Sequence, residues 1–187
     1  MSTDDGPGPL PESVWWITIA IVYGPACVAC SAAVAWLDGP RVESATALGG
    51  GLLLGATLAW VSQRIPWTRP EGPMGEAFRR MVGPLSLPAV VALAAFSAVG
   101  EELFFRGVLQ PWLGTWLTAL VFGAVHVPPE RALWSWPFLA AGMGLLLGGL
   151  TQWTGGLGAA IGVHFALNLL NLHALVGPGR PAAAYSE

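Results

Sequence analysis

From Val14 to Leu37 the chain carries no charged residue. At about 1.5 Å per helical residue, that stretch is long enough to cross a hydrocarbon core of about 30 Å. Apolar runs recur at Ala45 to Val61, Leu85 to about Trp112 (which takes in the charged cluster at Glu101 to Arg106), Trp112 to Val127, Trp134 to Trp153 and Leu157 to Val176. In lipid every backbone polar group must be satisfied within the protein, so only helices and closed barrels can span. These runs lack the period-two alternation of barrel strands, which excludes the barrel. The expected fold is therefore all-α, a polytopic transmembrane helical bundle of about six spanning helices, with the lipid bilayer as its main solvent.

Only 10% of residues are charged, against about a quarter in a soluble domain. All eight basic residues are Arg and the formal net charge is -3, so no basic face exists for nucleic acid. Residues 1–13 are acidic and rich in Pro and Gly and read as a disordered tail. Residues 14–176 read as one transmembrane domain, and residues 177–187 as a C-terminal tail. A cleavable signal ending near Ala33-Val34-Ala35 is the competing reading of the first run. The preceding tail is negative, however, and the apolar stretch is too long for one.

Glycines four residues apart, Gly51 and Gly55, Gly144 and Gly148, Gly158 and Gly162, predict close helix contacts. Cys27 and Cys30, three apart within a spanning run, read as small packing residues rather than as a redox pair. Arg64, Arg69, Arg79, Arg80, Arg131 and Arg180 fall on one side of a six-span bundle and only Arg41 on the other. That asymmetry puts both termini in the cytoplasm.

Charge inside a membrane is costly unless paired, so each such group is a functional suspect. Glu102 and Arg106 are four apart on one helix and can pair, which turns Glu101 about 100° away toward another neighbour. Two adjacent carboxylates with one Arg leave an excess negative charge suited to a general base. His126 and His164 lie in two other apolar runs, and Asn168 shares a helix face with His164. An imidazole and a carboxamide presented together can donate to a developing oxyanion. Singly, a buried Glu–Arg pair is as often a structural staple, and a lone membrane His an interhelical hydrogen bonder. What favours chemistry is that nearly every strongly polar residue of the last four helices falls in three short clusters.

Those clusters, Glu101-Glu102-Leu103-Phe104-Phe105-Arg106, then Phe122-Gly123-Ala124-Val125-His126, then His164-Phe165-Ala166-Leu167-Asn168, resemble the EExxxR, FxxxH and HxxxN motifs of the CPBP family. That family contains CAAX prenyl proteases and bacteriocin-processing or immunity-type membrane proteins. The resemblance covers about residues 85–176 and implies an intramembrane endopeptidase of the bacterial inner membrane, acting on a membrane-anchored protein or peptide. By that resemblance Glu101 activates water with His126, His164 and Asn168 stabilise the oxyanion, and Glu102 and Arg106 support the site. Zinc held by Glu101, His126 and His164 is the alternative to a metal-free glutamate mechanism. The chain has no HExxH helix, and Asn rather than an acid accompanies the third-motif His.

Counted by rise per residue, Glu101 lies about 24 Å from the start of its run at Leu85, and His164 about 9 to 10 Å from the opposite surface. On that count the site opens away from the Arg-rich side, as in the myxosortase-like branch that trims C-terminal sorting tags of exported proteins. Two non-proteolytic readings stand beside it, an immunity or scaffold protein and a proton-conducting channel or transporter.

Overall fold

The computed structural model describes residues 10–42, 44–128 and 130–177. Most of both predicted tails, together with Arg180, therefore lies outside the described residues. Where residues 10–13 are described they are not free: helix α1 (Glu12–Thr18) already starts at Glu12. The Glu12 carboxylate accepts from the Ser86 amide and hydroxyl, both at 2.7 Å, and the Trp15 indole donates to the Val82 carbonyl.

The first span continues through a five-residue π-helical segment (Ile19–Tyr23) into α2 (Gly24–Trp36). Helix α3 (Ala45–Ser62) returns, started by Ser44, whose hydroxyl caps the Ala47 amide. It lies along α8 (Gly158–Val176) with backbones nearly touching. A Cβ at Gly51 or Gly55 would collide with the backbone of Ala159 or Val163, and one at Gly162 with that of Leu48. Small residues thus do the packing here, as expected where lipid offers no hydrophobic drive for association. Cys27 and Cys30 are free thiols within the bundle.

The Arg-rich stretch after α3, expected as a loop, contains a helix, α4 (Pro73–Val82). Its Met74, Ala77 and Met81 face inward, while Glu76 and Arg80 face out. That is an amphipathic stripe at the surface of the bundle. Helix α5 (Leu87–Glu102) then enters, capped by Ser86. It passes through a second π-helical segment (Leu103–Leu109) into α6 (Gln110–Ala124).

Five helices are long and apolar enough to span, and one of them, Leu87–Ala124, runs 38 residues. Straight, it would reach about 57 Å, nearly twice a hydrocarbon core. It is not straight. Gly114 breaks α6 with φ 71° and ψ 168°, a conformation that favours glycine, and the chain folds back. Both arms lie against α7 (Trp136–Thr154). Arg106 and Gln110 donate to the carbonyls of Gly144 and Gly148, while Thr115 and Ala119 crowd the same two glycines from the other arm. The six expected helices therefore become five long ones, because the third and fourth are a single helix bent into a hairpin whose returning arm ends at Ala124, three residues before the predicted Val127.

Helices α7 and α8 match the fifth and sixth predicted runs. The start of α1, the end of α3, helix α4, the start of α5 and the end of α8 gather at one end of the bundle. There Leu85 donates to the Val176 carbonyl, and Gln63 and Ser62 bond to Asn171. At the other end Leu157 donates to the Arg41 carbonyl.

Candidate active site

Three polar clusters separated in sequence meet midway along the bundle, and Glu102 is their hub. It sits at the end of α5, and its Oε1 accepts from Arg106 Nη1 at 3.1 Å and from His164 Nδ1 of α8 at 2.7 Å. The side chains of Glu102 and Arg106 are wholly buried. The guanidinium also donates to the Gly144 carbonyl at 3.3 Å and lies over the Phe122 ring, 4.6 Å from its centre. A buried cation is thus met by a carboxylate, a carbonyl and an aromatic face, which is what burial of a charge requires.

Glu101, one residue earlier, points the other way, as the helical turn predicts. Its Oε1 accepts from the Tyr23 hydroxyl at 3.3 Å. Its Oε2 lies 3.8 Å from His126 Nε2 and 3.9 Å from His164 Nε2. That oxygen is buried without a hydrogen-bond partner among the described residues, a condition that calls for an explanation in a native structure.

His126 reaches this depth because Gly114 turns the chain back, with Glu101 thirteen residues before the turn and His126 twelve after it. Its Nδ1 donates to the Phe122 carbonyl at 2.6 Å, and the His164 Nδ1–H is committed to Glu102, so both Nε2 edges are left facing Glu101 Oε2. In their neutral forms the two imidazoles then turn lone pairs toward a carboxylate oxygen, a set of three acceptors that wants a donor between them. One water with hydrogen bonds of about 2.8 Å spans such gaps. Phe122 braces the group from below, lying edge-on to Phe105 at 4.8 Å and near the His164 ring at 6.2 Å.

Asn168 is one turn along α8 from His164, yet its amide is directed elsewhere: Nδ2 donates to Ser97 Oγ at 3.2 Å. Of the six sequence-predicted residues, Glu101, Glu102, Arg106, His126 and His164 thus form one contiguous cluster. Asn168 joins it through Ser97, which precedes Glu101 by one helical turn.

Sequence reasoning missed Tyr23 and Ser97. The available signal for Tyr23 was that it is one of only two tyrosines in the chain and the one lying within a spanning run.

Glu101, His126 and His164 are also the candidate zinc ligands. Neighbouring ligands of a tetrahedral zinc at about 2.0–2.2 Å lie about 3.3–3.6 Å from one another. The 3.8 and 3.9 Å separations are wider, and among the described residues no group of three His, Cys, Asp or Glu side chains is disposed to hold a metal ion. As arranged, the site does not fit a zinc shell.

Access comes from the His126 side. Glu101 and His126 retain 18% and 24% of their side-chain exposure, whereas Arg106, Gly107 and Leu157, toward the Arg41 end, are closed. His126 lies 6.2 Å from the Trp136 ring, which meets Phe78 of α4 edge-on at 5.0 Å. Arg80 of α4 pairs with Glu130 at 2.8 Å. The more exposed His126 thus stands on the side of the site nearer α4, whereas residue counts along full-length spans point to the opposite end.

Residues 83–170 match the family model described as type II CAAX prenyl endopeptidase Rce1-like, and the match contains all six predicted site residues. An uncharacterized protein of Bacillus subtilis (strain 168), YpbD, is 35% identical over 85 residues. That alignment covers 44% of this chain and 43% of the relative, so the chain spans less than half the length of that relative. No solved structure matches the chain.

Proposed function

We propose, from the likeness of residues 83–170 to the type II CAAX prenyl endopeptidase Rce1-like family, that this chain is a CPBP-family intramembrane endopeptidase cleaving a membrane-tethered protein or peptide with a glutamate-activated water. The observation that carries the reading is the buried, unpartnered Glu101 Oε2 facing the Nε2 atoms of His126 and His164 from two other helical segments.

In this mechanism a water held between Glu101 Oε2 and His126 attacks the scissile carbonyl carbon as Glu101 takes its proton. The carbonyl oxygen becomes an oxyanion, stabilised by His164 as its imidazolium, which keeps Nδ1–H on Glu102 and donates from Nε2–H; Asn168 stays bonded to Ser97. Collapse of the tetrahedral intermediate breaks the C–N bond, and the departing amine receives the proton from Glu101. Glu102 and Arg106 act on the His164 side, since Glu102 fixes the imidazole through Nδ1. No metal enters this scheme, in keeping with the separations around Glu101.

The end of the bundle that carries α4 also carries Arg64, Arg69, Arg79, Arg80 and Arg131, which by the positive-inside bias is the cytoplasmic end. A site opening there takes a cytoplasmic segment of its substrate, as CAAX-type processing requires, and the removal of a sorting tag from exported proteins becomes the less favoured specialisation. A cysteine introduced at Thr68 and labelled only from outside the cell would restore it.

The decisive test compares the termini of membrane proteins in cells carrying the wild-type chain or its Glu101→Ala, His126→Ala or His164→Ala variants. Loss of the same cleaved termini in all three, with each variant folded in detergent, is expected; the effect on rate is about 10²-fold or more. Unchanged termini in Glu101→Ala would defeat the proposal and leave the scaffold reading. Proton flux into liposomes dependent on Glu101, without cleavage, would leave the channel reading.

A further inference from the structure

The first span is outside the segment that matches the family, yet it reaches the site through one side chain. Tyr23 ends the π-helical segment Ile19–Tyr23, and its hydroxyl donates to Glu101 Oε1 at 3.3 Å across 78 positions of sequence. Two features of the local structure make that contact. A π-helical turn holds more residues than an α-helical one, so it re-aims the side chains that follow, and such turns concentrate at functional sites. The neighbour of Glu101 is Gly100, where a Cβ would lie 3.3 Å from Cys27 Sγ and 3.5 Å from Tyr23 Cδ1. Glycine there lets the first span come close enough for the phenol to reach the carboxylate.

We infer that Tyr23 is a positioning residue for the reaction, the donor that fixes the Glu101 carboxylate so that Oε2 faces the water site between His126 and His164. The inference rests on the reading of Glu101 as the water-activating base. A Glu carboxylate is free to rotate about its last torsion, and either oxygen could otherwise turn away from the imidazoles. With Oε1 engaged by Tyr23, Oε2 is left for water, which accounts for its having no protein partner. Tyr23 bonds the oxygen of Glu101 opposite to the one that faces the imidazoles, so its removal acts on the orientation of the base.

The expected result for Tyr23→Phe is a kcat lowered about 10- to 100-fold with KM within about twofold of wild type, because misplacement of a reacting group by about 1 Å costs that much in rate. The assay uses the full-length protein in proteoliposomes with a substrate identified from the termini comparison. Fluorinated tyrosines incorporated at position 23 keep the ring and the hydroxyl while strengthening the donor. They should restore kcat and make it vary with phenol acidity, which a role in packing alone would not do. A Tyr23→Phe enzyme within twofold of wild-type kcat, alongside an inactive Glu101→Ala, overturns the inference and leaves the protease reading intact. Should Tyr23→Phe fail to fold, a kcat constant across the fluorotyrosine series overturns it equally. An active Glu101→Ala enzyme instead removes the reading on which the inference stands.

Discussion

Replacing Arg106 by Met tests whether the charged centre of the site is a coupled unit. Arg106 and Glu102 are wholly buried and joined at 3.1 Å, and the guanidinium also supplies the hydrogen bond to the Gly144 carbonyl and a cation over Phe122. Removing one partner of a buried pair leaves an uncompensated charge, at a cost of about 3–5 kcal/mol. Loss of the charged hydrogen bond to the Gly144 carbonyl, which keeps its own helical partner, contributes about 1.5–3 kcal/mol more, although contributions from one network do not simply add. Against a total stability of about 5–15 kcal/mol, Arg106→Met should be among the most damaging single changes in the chain. The double variant Glu102→Gln with Arg106→Met behaves differently. It removes both charges and keeps an amide oxygen for the His164 Nδ1–H, so it should recover most of the loss and stand within about 2 kcal/mol of wild type. Reversible unfolding in mixed micelles, with the SDS mole fraction as denaturant, measures all three proteins. If the single variant loses less than about 1 kcal/mol, or the double is no better than the single, then the pair is not the coupled buried unit that the geometry describes.

Three further outcomes follow from the same structure. On α3, Gly51→Ala should destabilise by about 1–3 kcal/mol because its methyl group meets the Ala159 backbone, whereas Gly50→Ala, with open space around it, should be neutral or stabilising by up to about 1 kcal/mol in the same unfolding assay. Gly114→Ala should cost about 1–3 kcal/mol, since φ 71° is strained for any L side chain. It should also slow peptide cleavage by displacing His126, while Gly142→Ala, on an open face of α7, should do neither. Cleavage by purified protein should survive a strong chelator; complete loss with recovery on adding zinc would replace the metal-free mechanism with a metal-dependent one.

Much of the bundle was legible because charge is absent where lipid is the solvent. The runs at 45–61, 134–153 and 157–176 fall within about two residues of α3, α7 and α8 at nearly every boundary, since Ser44, Gln63 and Gly155 stand where helices start or stop. The Glu102–Arg106 pair, His126 and His164 were legible for the same reason, each being expensive in lipid without a partner. Tyr23 was not, because its partner is 78 positions away and no spacing rule connects a residue in a π turn to an acid on another helix. Helix α4 was hidden by its prolines and by a length of ten residues, too short for the apolar-run criterion although Met74, Ala77 and Met81 mark its inner face.

The fold-back at Gly114 is the feature that composition could not disclose, and it is also the one on which the site depends. His126 lies twelve positions beyond Gly114, about 18 Å along a helix. Glu101 lies thirteen positions before Gly114, about 20 Å along the other arm, so the fold-back brings the two to the same depth. Stopping short leaves non-helical backbone from Val125 onward near the depth of the site, and such backbone is tolerated only where protein or water, not lipid, satisfies it. Helix α4 supplies that cover. Met74 and Ala77 pack on Leu133, Phe78 on Trp136, and Arg80 ties Glu130. The amphipathic helix, the short arm and the accessible edge of Glu101 are thus one arrangement: α8 delivers His164 on an unbroken span, whereas the arm that delivers His126 ends near the depth of the site and takes its cover from the adjoining loop.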